Sequence, residues 1–116
     1  MIYRERNVIN EYWTEDHTMK YTIDEIKEKS IPIAQQYGIQ RLSLVGSYAR
    51  GTEKEDSDLG FLISKGKLCG LFQYMGFVQE LEDAFGCHVD VISDGINDTA
   101  FLDRIRKDEV LLYEAS

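Results

Sequence analysis

The sequence predicts one α/β domain of the α+β kind, a mixed β-sheet flanked by helices. Three observations carry this. Apolar residues recur at helical spacing in some stretches and as short, strand-length runs in others, and the two alternate along the chain. The helical stretches stop at Gly38 and Gly86, where a helix can close on a glycine. A chain of 116 residues, 43% hydrophobic and 29% charged, supports one buried core and leaves no room for a second folded unit.

Met1 to Thr18 mixes charged and apolar residues without a clean period, and Met19 opens the first strongly patterned segment. Residues 1–18 therefore read as an extension outside a core domain of residues 19–116. Thr22 with Glu25 is a capping-box pair, and Ile23, Ile26, Ile33, Ala34 and Tyr37 continue a roughly helical spacing to Gly38. Pro32 within it predicts a kink or a second helical start, with Ser30 as the cap. Leu42 to Val45 reads as a short buried strand running into Gly46 and Ser47, followed by a short helix to about Arg50.

Gly51 to Ser57 is polar and turn-like. Asp58 to Ile63 reads as a second strand, with Leu59, Phe61 and Ile63 on one face and Asp58 and Gly60 on the other. Leu71, Tyr74, Met75, Val78, Leu81 and Phe85 predict a helix that ends at Gly86, and a third strand spans about Cys87 to Ser93. Asn97 or Asp98 caps a last helix bearing Phe101, Leu102 and Ile105, and Val110 to Tyr113 adds a short strand or an apolar plug.

Composition excludes several classes of function. Thirteen Lys and Arg against twenty-one Asp and Glu give a net charge of -8, a field that repels polyanions, and Lys65 with Lys67 is too small a cluster for a nucleic-acid patch. Cys69 and Cys87 form no Cys-x-x-Cys pair and His17 is far from His88, which argues against structural zinc and a disulfide framework. With no apolar run of membrane-spanning length and an N-terminus too polar for a secretory signal, the expected location is the cytoplasm, without a membrane anchor.

The chemistry concentrates in Gly46-Ser47-Tyr48-Ala49-Arg50-Gly51, then six residues, then Asp58. A strand that breaks at Gly-Ser into a helix turns free backbone amides and a hydroxyl outward, which suits a phosphate. No Lys-Ser or Lys-Thr follows Gly51, so this is not a Walker loop. Asp90 is a lone acid between Val89 and Val91, its side chain opposite theirs, and it can share one divalent cation with Asp58 if their strands pair. Arg50 is read first as tying the helix or the loop together, with a direct phosphate contact as the alternative. His88 shares a strand face with Asp90 but is assigned the commoner role of a half-exposed strand histidine, outside the site.

Together these residues resemble the minimal nucleotidyltransferases, the MNT proteins of the DNA polymerase beta superfamily, and among them the antitoxins of HEPN/MNT pairs. The resemblance rests on Gly46-Ser47-Tyr48-Ala49-Arg50-Gly51, Ser57-Asp58-Leu59-Gly60 and Val89-Asp90-Val91, and it runs from about Met19 to Tyr113. It implies a polymerase beta-like fold and transfer of a nucleoside monophosphate, AMP from ATP, with two magnesium ions. Gly46 and Ser47, with Arg50, would meet the phosphates; Asp58 and Asp90 would hold metal, and Asp90 would help align or deprotonate the attacking hydroxyl. The implied acceptor is a hydroxyl on a protein, a HEPN-type RNase toxin, in a hetero-oligomer. Gly60 departs from the pattern, because the family carries a second metal-binding Asp there. Its loss predicts weaker metal binding, a one-ion site, and either a slow enzyme or a degenerate nucleotide- and partner-binding module.

Overall fold

The computed structural model describes residues 21–52 and 58–115; the expected extension at residues 1–18 and the turn residues 53–57 lie outside them. Helix α1 (Ile23–Gln36) begins with the expected capping box. The Thr22 hydroxyl accepts the Glu25 N–H at 3.1 Å, and the Glu25 carboxylate accepts the Thr22 N–H at 2.9 Å. The helix then runs through Pro32 without a second start. Ser30 is no cap: its buried hydroxyl donates to the Ile26 carbonyl, 2.6 Å away within the same helix. Ile26 and Ala34, fully buried on either side of Pro32, seat both halves on one core, so a single axis survives the missing proline N–H.

The sheet is built from β1 (Arg41–Val45), β2 (Leu59–Ser64), β3 (Val89–Ser93) and β4 (Val110–Glu114), in the order β3-β2-β1-β4. Strand β1 is antiparallel to both β2 and β4, whereas β2 and β3 are parallel. That parallel pair needs a crossover, which helix α3 (Gly70–Phe85) supplies. Helix α2 (Ser47–Arg50) follows β1, and α4 (Thr99–Arg106) precedes β4. Asp98 caps α4 by accepting the Phe101 N–H at 3.0 Å. Residues from Val110 onward form a paired strand, not a loose plug.

Leu42, Leu44, Leu59, Phe61 and Ile63 are buried with Ile26 and Ala34 of α1 and Phe77, Leu81 and Phe85 of α3 in the main core. The sheet face bearing Val45 and Leu62 packs on Leu102 of α4 in a smaller cluster. The period-2 alternation of β2 divides these two sets. Helix α3 departs from its expected stripe: Phe77 is buried, while Leu71 and Met75 remain 70% and 56% exposed. Burial on α3 begins at Tyr74, whose hydroxyl donates to the Val91 carbonyl at 2.6 Å; the turn before it extends beyond the packed surface.

Candidate active site

Strand β1 ends at Val45, paired with Gly60, so the chain leaves the sheet at Gly46 beside the point where it enters β2. Gly46 has φ 82 and ψ -155, a conformation almost confined to glycine. This turn delivers Ser47 to the start of α2, which is anchored by the buried side chain of Tyr48. Arg50 is exposed at the last position of that helix.

Asp58 lies one residue before β2 rather than within it, and its side chain is exposed. The parallel register matches Leu59 with Val89 and Gly60 with Asp90, and one step earlier it sets Asp58 alongside His88. Asp58, His88 and Asp90 each bring a ligand atom within 4.8 Å of the others. The pairing that Asp58 and Asp90 require is therefore present, and a histidine assigned to the surface has joined them.

His88 is held at both ring nitrogens. Its Nε2 lies 3.0 Å from Asp90 Oδ1 and its Nδ1 lies 3.2 Å from Glu82 Oε2. Glu82 is itself fixed, because the same carboxylate oxygen accepts the Val89 N–H at 3.2 Å. The hydrogen bond and charge of Asp90 raise the His88 pKa above the ordinary histidine value, aided by Asp58 and Glu82 and opposed by partial desolvation. The neighbouring Cys87 thiol is pushed up as well, first by burial and then by the charges of Asp58 and Glu82, so it stays protonated. The clue to His88 in the sequence is its position two residues before Asp90, on the same strand face; Glu82, from the preceding helix, has no such signal.

These donors suit a divalent cation. Ligand atoms about 2.1 Å from a bound ion lie about 3 to 4 Å apart, a spacing these exposed side chains reach by small rotations. Gly60 adds nothing to the set. A Cβ there would sit 3.2 Å from the Val45 carbonyl oxygen and 3.4 Å from Val45 Cγ2, so an acid at this position requires Val45 to give way slightly.

Among proteins with recognised names, the chain is 39% identical over 88 residues to a Methanocaldococcus jannaschii protein named "Putative protein adenylyltransferase", spanning 76% of this chain and 95% of that one. It is 30% identical over 60 residues to the protein adenylyltransferase MntA of Thermococcus cleftensis, spanning 52% and 61% of the two chains. The fold is shared with a toxin–antitoxin crystal structure with AMP-PNP (TM-score 0.67, 20% identity, 78% of this chain and 74% of that chain). It is also shared with a structure of the tri-AMPylated Shewanella oneidensis HEPN toxin in complex with MNT antitoxin (TM-score 0.63, 16% identity, 81% and 74%). Residues 28–116 match the family described as polymerase beta, nucleotidyltransferase; with the fold and the level of identity just given, the chain belongs to that family of nucleotidyltransferases.

Proposed function

We propose that this chain is a protein adenylyltransferase dependent on a divalent cation, which moves AMP from ATP to a hydroxyl of a HEPN-type RNase toxin and so acts as its antitoxin. The observation that carries the reading is the convergence of Asp58 and Asp90 from adjacent strands at the sheet end where Gly46 and Ser47 begin α2. The names of the two relatives and the toxin–antitoxin complexes that share the fold support it. The net charge of -8 favours a basic protein partner in a hetero-oligomer over direct binding of nucleic acid. Free cysteines Cys69 and Cys87 suit the cytoplasm, and no helix among the described residues is long and apolar enough to cross a membrane. Residues 1–18 are proposed as an extension of the domain, because they lack the periodic pattern that begins at Met19.

In this reading Gly46 and Ser47 receive the outer phosphates through backbone amide and hydroxyl, and Arg50 adds a positive charge beside them. Asp58 and Asp90 would hold one cation; a second would lack a carboxylate, because Gly60 provides none. A cation held there would supply neutralisation of charge on the transferred phosphate and on the leaving oxygen. Asp90 orients the acceptor hydroxyl and takes its proton as the oxygen bonds to the α-phosphorus. The bond from that phosphorus to pyrophosphate breaks, and pyrophosphate departs.

Gly60 favours one second reading, a nucleotide-binding module that neutralises the toxin by contact alone. Co-expression with a HEPN partner, followed by gel filtration and intact-mass measurement, separates the two. A complex whose toxin gains one or more AMP units supports transfer. A complex without added mass supports the contact-only module, and no complex at low salt, where electrostatic steering is strongest, removes both.

A further inference from the structure

We infer that His88 is the third ligand of the cation site, and that its nitrogen turns the site from magnesium toward a first-row transition cation such as manganese or cobalt. The inference rests on the cation site proposed above and names the ligand that fills out its donor set. Position 60, between Val45 and Asp90 in the sheet, offers no carboxylate. The neighbouring strand offers a donor instead, since His88 lies beside Asp58 on the face it shares with Asp90.

Two features separate His88 from a solvated surface histidine. Its Nε2 points into the acid pair, 3.0 Å from Asp90 Oδ1. Its Nδ1 faces Glu82 at 3.2 Å, and the Val89 N–H holds that carboxylate in place. A carboxylate behind a histidine sets the ring orientation, keeps the proton on the far nitrogen and makes the near nitrogen a better donor; metal-binding histidines are commonly supported this way. Glu82 is thus a positioning residue. Magnesium prefers an all-oxygen shell, whereas imidazole suits the later divalent ions, so two carboxylates and one imidazole select for the latter.

The competing account makes His88 an imidazolium that only bridges acids. The two accounts differ in sign. Removing a bridging positive charge tightens cation binding, whereas removing a ligand loosens it and erases the preference.

The test is calorimetric titration of the full chain, without nucleotide, using manganese and magnesium chloride separately, with pulsed electron paramagnetic resonance of the manganese form. Expected for the parent is manganese binding at least about ten-fold tighter than magnesium, with a nitrogen-14 coupling to the ion. His88→Ala should weaken manganese about 10- to 100-fold, change magnesium less than about three-fold and abolish the coupling. Glu82→Gln should keep the coupling while weakening manganese by a smaller factor. His88 is exposed, and circular dichroism checks that each variant is folded. A parent without the coupling, or a His88→Ala variant with unchanged or tighter manganese binding, overturns the inference while leaving Asp58 and Asp90 as the site. Manganese binding that survives both Asp58→Ala and Asp90→Ala overturns the site itself.

Discussion

Two sets of acids around the sheet sit in opposite circumstances. Just before β4, Glu109 accepts a hydrogen bond from buried Ser43 and pairs with Arg41 of β1 at 2.6 Å. Asp94 accepts one from Ser64 and lies 3.6 Å from Arg106. Each carboxylate there has one arginine and one hydroxyl. Where β2 and β3 begin, Asp58, Asp90 and Glu82 surround a single histidine, and among the described residues the ion pairs of Asp90 and Glu82 run to His88 alone. The contrast separates an acid that holds the fold together from an acid left with charge to spend on a ligand.

Removing an acid from the uncompensated set has the greatest consequence. Asp58→Ala or Asp90→Ala should lower AMP transfer about 100- to 1,000-fold, a loss of roughly 3 to 4 kcal/mol of transition-state stabilisation. Stability should change by less than about 0.5 kcal/mol, because both side chains are exposed. A radiolabelled-ATP transfer assay and urea unfolding on the same preparations check the pair. The compensated set should behave in reverse. Glu109→Ala leaves the buried Ser43 hydroxyl and Arg41 without their acceptor and should cost about 2 to 3 kcal/mol in urea unfolding, with cation affinity unchanged.

A smaller effect sharpens the comparison by adding an acid where one is missing. Gly60→Asp should raise magnesium-dependent transfer about ten-fold while lowering stability by about 1 kcal/mol, since the new side chain presses on Val45. Transfer assays in magnesium against manganese read the first and thermal unfolding the second; a fast parent with no gain in the variant would mean another group already supplies the ligand. The smallest effect is the control. Thr22→Ala removes one half of the α1 capping box, whose side-chain partner is Glu25, and should cost about 1 kcal/mol in unfolding without altering cation binding.

How much of this is legible in the sequence follows the range of each interaction. Thr22 and Glu25 are three residues apart, and Asp98 and Phe101 likewise, so local spacing reveals both caps. Pro32 misleads for the opposite reason: its local rule predicts a break, while burial of Ile26 and Ala34 on the same core keeps the helix whole. Leu71 and Met75 fit the helical period but lie beyond the part of α3 that packs, a boundary set by neighbouring elements.

Local pattern along the chain is enough for the order of elements, the alternation that sends Leu59, Phe61 and Ile63 into the core, and the Gly46-Ser47, Asp58 and Asp90 motif. These depend on steric preference, period and short separations along one chain. Long-range packing sets β3 parallel to β2 in the register that brings His88 beside Asp58, and carries Glu82 to the far side of the same ring. Thirty positions of chain separate Asp58 from His88, and a pairing made across that distance is decided by how the crossover helix α3 packs on the sheet face, which no local pattern encodes.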